Sequence, residues 1–345
     1  IRSEGKTHEV RTVYHQMPGR ENRPVPVENR CAAAIRTALK ETDGDILVFL
    51  PGVGEIRRMQ DILDGWEGQT LDVMPLYGNL SREDQATVFL PSQRGRRKLI
   101  LATSIAETSV TIDGIGVVID SGLMRLPRFS TRTGMTRLET VRVSLAAADQ
   151  RRGRAGRTGP GVCYRLWPRH EHAGLTPFTP PEMKNADLAG LVLELAAWGV
   201  PHPEDLRWMD APDPVQVRSA RDLLKRIGGL DAHDRITPHG TAMTGVGLHP
   251  RLAHMIIRGA EKRLGFTASL LAALVSERDI IGFDRAGSGW VLDPDIRLRL
   301  EVLEKIMKRR PVSVPGGTVK TRLARRVIRA ARMMEKTIPQ CKGSG

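Results

Sequence analysis

The chain has 345 residues, of which 40% are apolar and 27% charged, with a formal net charge of +14. This length exceeds one ordinary domain, the apolar fraction excludes wholesale disorder, and no run approaches the ~18 apolar residues of a membrane span. The basic balance calls for a polyanion, nucleic acid or a membrane surface, and with only 4% aromatic residues backbone contact through Lys and Arg outweighs base stacking. Cys31, Cys163 and Cys341 are scattered, which suits a reducing cytosol and argues against a zinc site. His170 and His172, flanking Glu171, read as an exposed loop rather than a ligand pair.

Val10 to Tyr14 reads as a strand entering a domain, and Ile1 is no initiator, so an upstream segment is expected. Ala32, Ile35, Ala38 and Leu39 keep a helical period, and Ile46 to Leu50 is a short apolar strand. A second helix carries Ile56, Met59, Ile62 and Leu63, and Leu71 to Leu76 is the next strand. Ser81, three residues before Asp84, opens a third helix ending near Phe89. Lys98 to Ala102 and Val117 to Asp120 are two further buried strands. Strands apolar on both faces and separated by helices imply a doubly wound α/β domain with a parallel sheet. From 124 to 143 the period becomes two around Arg132-Thr133-Gly134, a protruding β-hairpin. A helix from about Ala146 leads into an arginine–glycine run, and Val162 to Leu166 is a last strand. Pro177, Pro180 and Pro181 mark a linker, followed by helices over Leu188 to Trp198 and Val215 to Ile227. Gly228-Gly229 and a short strand over Arg235 to His239 complete a winged-helix-like pattern, and the chain is mostly helical from His249. The expected division is 1–168, 169–248 and 249–340.

Two stretches carry chemistry. Hydroxyls at Thr103, Ser104, Thr108, Ser109 and Thr111 crowd a strand-to-helix turn ending at Asp113. Such a turn is either a phosphate site or simply a capped turn. More specific is Gln150-Arg151-Arg152-Gly153-Arg154-Ala155-Gly156-Arg157, which spaces Arg151, Arg154 and Arg157 by three along one helix face. Unpaired guanidinium groups so arranged repel one another unless an anion lies between them, and their planar donors suit phosphate oxygens. The alternative is a solvated basic helix.

Together these stretches resemble motifs V and VI of superfamily 2 helicases of the DEAH/DExH group. Phe49-Leu50-Pro51-Gly52 resembles motif IV, Leu76-Tyr77-Gly78-Asn79-Leu80 its neighbour motif IVa, and the hairpin with Arg132-Thr133-Gly134-Met135 at its tip is a hallmark of the group. Gly159 to Leu166 follows motif VI as in that group. Phe178-Thr179-Pro180-Pro181-Glu182, Leu193 to Gly199, Thr237-Pro238-His239-Gly240 and His249-Pro250-Arg251-Leu252-Ala253 look like the bacterial HrpB branch. The resemblance implies a second RecA-like domain over 1–168, then a winged-helix-like unit over 169–248 and a ratchet-like helical domain over 249–340. It implies that Arg154 and Arg157 are arginine fingers toward the γ-phosphate of ATP, and that Gln150 orients that phosphate and the attacking water. Ser109 would sense the nucleotide state, Asp113 face the ribose, and Phe89 stack on adenine unless it is a core residue. Thr103 and the backbone near Gly52 would meet RNA, whereas Ser104 stands where the group more usually has Asn.

ATP hydrolysis also needs a phosphate loop and acidic Mg²⁺ ligands. Gly5-Lys6-Thr7 lacks the preceding glycine, and no Asp-Glu dipeptide occurs. Both motifs are therefore expected on a missing first RecA-like domain, which would bind most of the ATP and Mg²⁺, and this chain alone should lack ATPase activity. The expected protein is a cytoplasmic ATP-dependent RNA helicase of the HrpB type. RNA, single-stranded or duplex, is the expected partner, with DNA left open and no membrane. The alternative is a stand-alone basic RNA- or DNA-binding or regulatory protein derived from a helicase. Finally, thirteen Lys and Arg against three Glu lie between Arg297 and Lys336. Val319, Leu323, Val327, Ala330, Ala331 and Met334 form an apolar stripe on the last helix. Arg322, Arg325 and Arg329, with Arg332 and Lys336, form a separate stripe, either a solvated face or an RNA-backbone track.

Overall fold

The computed structural model describes residues 8–14, 25–64, 66, 71–90, 95–108, 112–200, 202–283 and 294–338. The chain divides into two compact units, one of 1–130 with 135–185 and one of 131–134 with 186–345.

The first unit is built on six parallel strands: β1 (Val10–Tyr14), β2 (Asp45–Phe49), β3 (Leu71–Leu76), β4 (Arg97–Ala102), β5 (Ile115–Asp120) and, after the hairpin, β8 (Gly161–Arg165). Their order across the sheet is β1-β8-β5-β2-β4-β3. Because alternate side chains of a strand point to opposite faces, β2 feeds two cores at once. Ile46 and Val48 pack with Cys31, Ile35 and Ala38 of α1 (Val27–Glu41) and with Ile56, Met59 and Leu63 of α2 (Val53–Leu63). Leu47 and Phe49 pack on the other side with Val118, Cys163, Ala106 and Ala155. This double burial makes the strands read as unbroken apolar runs, and the doubly wound parallel sheet expected from them is present.

The Ser81 and hairpin signals act as expected. The Ser81 side chain accepts from Asp84 N at 3.0 Å and starts α3 (Arg82–Thr87). After α4 (Ile105–Thr108) and β5, the antiparallel pair β6 (Leu123–Ser130) and β7 (Met135–Arg142) forms its own two-stranded sheet. Its turn uses Gly134 at φ +64°, where a side chain would be strained. Ser144 Oγ caps α5 (Leu145–Gly153) by accepting from Ala147 N at 3.1 Å. A short helix α6 (Arg169–His172) follows β8, and His172, expected on an exposed loop, is half-buried against Arg165.

The second unit contains α7 (Ala189–Ala197), α8 (Pro214–Arg226), α9 (Pro238–Val246), α10 (Pro250–Glu261) and α11 (Gly265–Ser276). Between α8 and α9 the expected short strand is reduced to one antiparallel bridge, Leu230 to Ile236. Then come β9 (Ile281–Phe283), α12 (Ile296–Met307), β10 (Gly317–Val319) and α13 (Thr321–Thr337). The β9–β10 antiparallel pair was not foreseen, since three-residue strands carry too little periodicity to read. Val319 lies in β10 rather than in the last helix, which buries Ala324, Val327, Ile328 and Ala331. No helix among the described residues is long and apolar enough to cross a membrane.

Candidate nucleotide and nucleic-acid site

The arginine run does not stay on one helix. Arg151 lies in α5, Arg154 opens a tight 3₁₀ turn over Arg154–Gly156, and Arg157 caps that turn. The expectation that Arg151, Arg154 and Arg157 share one anion-facing surface is therefore corrected. Arg151 is fully buried. Its Nε donates to Glu107 Oε1 at 2.7 Å and its Nη1 to Asp120 Oδ1 at 2.8 Å and the Leu123 carbonyl at 3.2 Å. Its guanidinium carbon lies 4.8 Å from the centre of the Phe49 ring. Burial opposes its charge, but Asp120 and Glu107 outweigh that and hold the proton more tightly than usual. Arg151 is an internal strut joining α5 to α4, to the last residue of β5 and to the root of the hairpin.

Arg154 and Arg157 lie together at the 3₁₀ turn. Arg154 is 6% exposed and Arg157 is exposed, as is Gln150. An Arg154 Nη2 hydrogen donates to the Glu107 carbonyl. Burial and then the neighbouring Arg157 charge weaken Arg154's hold on its proton. Two like charges set together at a partly buried turn are costly, and an anion bound there would relieve the cost. Glu107 thus ties the two stretches together, with its side chain on Arg151 and its main chain on Arg154. No pattern in the sequence marks Glu107 or Asp120 as partners, since they lie 44 and 31 residues from Arg151.

Gly52, Thr103 and Asp113 lie near the ends of strands. Gly52 and Thr103 lie where strands end: Leu50 N donates to Ala102 O at 2.8 Å and Thr103 N to Leu76 O at 3.1 Å. A Cβ on Gly52 would fall 2.6 Å from Arg125 Nη1, so glycine leaves room for this hairpin guanidinium, which pairs with Glu55 at 3.1 Å. The sequence did not single out Arg125, which this packing brings to the same strand end. Asp113 is exposed in the turn before β5, where that strand begins. Ala155, inside the Arg154–Gly156 turn, shares a core with Ile115, the first residue of β5. The hydroxyl-rich stretch is therefore split, with Thr103 past the end of one strand and Asp113 before the start of the next. Its helix α4 has only four residues, so it offers no extended helix terminus for phosphate. Ser109 and Thr111 lie outside the described residues. Phe89 is 45% exposed, which removes the core reading. In the second unit Arg322, Arg325 and Arg329 are all exposed on α13. Among the described residues no group of three His, Cys, Asp or Glu could hold a metal ion.

A model of the helicase conserved C-terminal domain matches residues 29–159. The chain is 39% identical over 280 residues to the ATP-dependent RNA helicase HrpB of Escherichia coli (strain K12), covering 81% of this chain and 34% of that protein. It is 38% identical over 238 residues to the probable ATP-dependent RNA helicase DHX34 of Mus musculus, covering 68% of this chain and 21% of that protein. It thus spans about a third or less of the length of these curated relatives. The crystal structure of the Escherichia coli DEAH/RHA helicase HrpB aligns with a TM-score of 0.78 at 33% identity, covering 97% of this chain and 38% of that one. The match to helicase sequences runs through β2, α4 and α5, the segments that Glu107 and Arg151 lock together, and on this ground the chain belongs to the DEAH/DExH helicase family.

Proposed function

We propose that this chain is the second RecA-like half, with the start of the accessory region, of an ATP-dependent RNA helicase of the HrpB type. In this reading 1–168 is the RecA-like domain, 169–248 a linker and winged-helix-like domain, and 249–340 a ratchet-like helical domain. The protein works in the cytoplasm on RNA or ribonucleoprotein. The observation that carries the reading is the Arg154–Arg157 pair at one turn, its first member anchored to the main chain of Glu107. A protein that only binds nucleic acid has no need of that arrangement.

Arg154 and Arg157 act as fingers, stabilising charge as the γ-phosphoryl group departs. Gln150 orients the attacking water, Ser109 senses the nucleotide state, Asp113 faces the ribose and the exposed Phe89 ring stacks on adenine. Thr103, the backbone at Gly52 and the arginines 322, 325 and 329 hold RNA. ATP brings the phosphoanhydride to be cleaved, and its Mg²⁺ is held by carboxylates of a first RecA-like domain in cis, since the described residues here offer no such cluster.

The test is Arg154→Ala and Arg157→Ala in the polypeptide that carries this chain behind that first domain. Turnover should fall about 10³-fold or more, the scale of arginine fingers. ATP affinity should change far less, because most ground-state phosphate contacts lie on the other domain. A variant turning over within a few-fold of the parent would remove the finger assignment.

A further inference from the structure

The end of α12 and the outer face of α13 enclose a groove of about 700 Å³. Its apolar lining comes from Ile306, Met307 and Ile328, and its remaining walls carry Arg309, Arg322, Arg325, Arg329 and Arg332. None of these five guanidinium groups has an ion-pair partner among the described residues. Three other cations in and beside these two helices do have partners. Arg299 pairs with Asp279 at 2.7 Å, Lys308 with Glu304 at 3.6 Å, and Arg326 with Glu277. The groove thus gathers five cations that no carboxylate of the described residues neutralises.

Five like charges around one groove repel one another, and a bound polyanion removes that cost. Arg322 and Arg332 are ten residues apart, about 15 Å along a helix, too far for one small anion and suited to a run of phosphates. The aliphatic floor adds a second requirement, because a phosphate gains nothing from Ile306 or Met307, whereas the flat face of a base does. A base can lie there only if it is unstacked, and in a duplex it is not.

We propose that this groove is a single-stranded RNA site in which the five arginines hold successive phosphates and Ile306, Met307 and Ile328 receive an unstacked base. It rests on the preceding section's assignment of Arg322, Arg325 and Arg329 to RNA and extends that surface to Arg309, Arg332 and the apolar floor. The finger arginines play no part in it.

The test is fluorescence anisotropy of the 345-residue chain with a short oligouridine, a blunt RNA duplex of equal length and inorganic polyphosphate. The single strand should bind tightest. Replacing Arg309 and Arg332 with Gln should flatten the log–log salt dependence by about 0.7 for each phosphate the groove no longer neutralises, which for two phosphates amounts to about 20-fold in affinity at 0.1 M salt. Met307→Ser should weaken oligouridine binding while leaving its salt slope and the polyphosphate affinity unchanged. Equal binding of duplex or polyphosphate would overturn the base-holding site, and an unchanged slope would overturn the groove altogether. Displacement of oligouridine by polyglutamate at equal charge would assign the groove to an acidic protein instead and likewise overturn the proposal. Failure of the finger variants to lower turnover would refute the helicase reading and leave this binding result standing, so the two are separable.

Discussion

Replacing Arg151 with Met removes a charge while keeping most of the aliphatic volume, and it should destabilise the first unit severely. Arg151 and Asp120 are both fully buried, and Glu107 is largely so. Loss of the guanidinium leaves two carboxylates in a low-dielectric interior with their common cation gone. Breaking a buried pair from one side costs about 3–5 kcal/mol, and here one residue serves two partners. A unit of roughly 180 residues shifts its Tm by about 2–4 °C for each kcal/mol, so the midpoint should drop by about 6–20 °C. Hydrogen exchange in peptides covering β5 and α5 reports the unit's own opening free energy, separately from the helical unit. Adding Asp120→Asn to Arg151→Met should recover about 1–3 kcal/mol, the coupling expected of groups in direct contact. A loss below about 1 kcal/mol for the single variant, or strict additivity in the double, would refute the strut. Arg154→Ala on the same measurement should leave α5 protection nearly intact, which separates the strut from the fingers.

Two further outcomes are expected. The purified chain should not hydrolyse ATP with or without RNA, and sustained turnover that survives Arg154→Ala and contaminant controls would contradict the assignment of the phosphate loop and Mg²⁺ ligands to another domain. In the helical unit, His239 Nε2 lies 2.9 Å from His254 Nδ1, so one ring's N–H donates to the bare nitrogen of the other. Burial, and then Arg258 facing both rings with Glu261 opposing it, holds the two imidazoles below their ordinary value. The unfolded chain therefore takes up protons first as pH falls from about 6.5. The pair's contribution is complete above that pH and is lost below it. The urea midpoint of this unit should fall between pH 7 and pH 5, and His254→Asn should flatten that fall. A midpoint that rises on acidification would contradict the sign.

The elements were legible in the sequence because their causes are local. The apolar run at Ile46 to Leu50, the cap at Ser81 and the glycine at the hairpin turn each act within a few residues. The spacing of Arg151, Arg154 and Arg157 marked the run, of which the structure brings Arg154 and Arg157 to one turn, while the basic stripe of the last helix marked its exposed face. What each arginine does was not legible, because solvation depends on partners far away in the chain. A period of three puts Arg151 beside Arg154 and Arg157 on a helix drawn alone, yet Asp120 and Glu107 take it inside, and the turn to 3₁₀ geometry after Gly153 sends the other two elsewhere. Likewise Thr103 and Asp113 are ten residues apart, but the crossover between the parallel strands β4 and β5 puts one past a strand's C-terminal end and the other before a strand's N-terminal end. The groove beside α13 exists because the segment at 306–309 folds back against the face of 321–332. Only that packing distinguishes an arginine neutralised by Glu277 or Asp279 from one left facing an apolar floor.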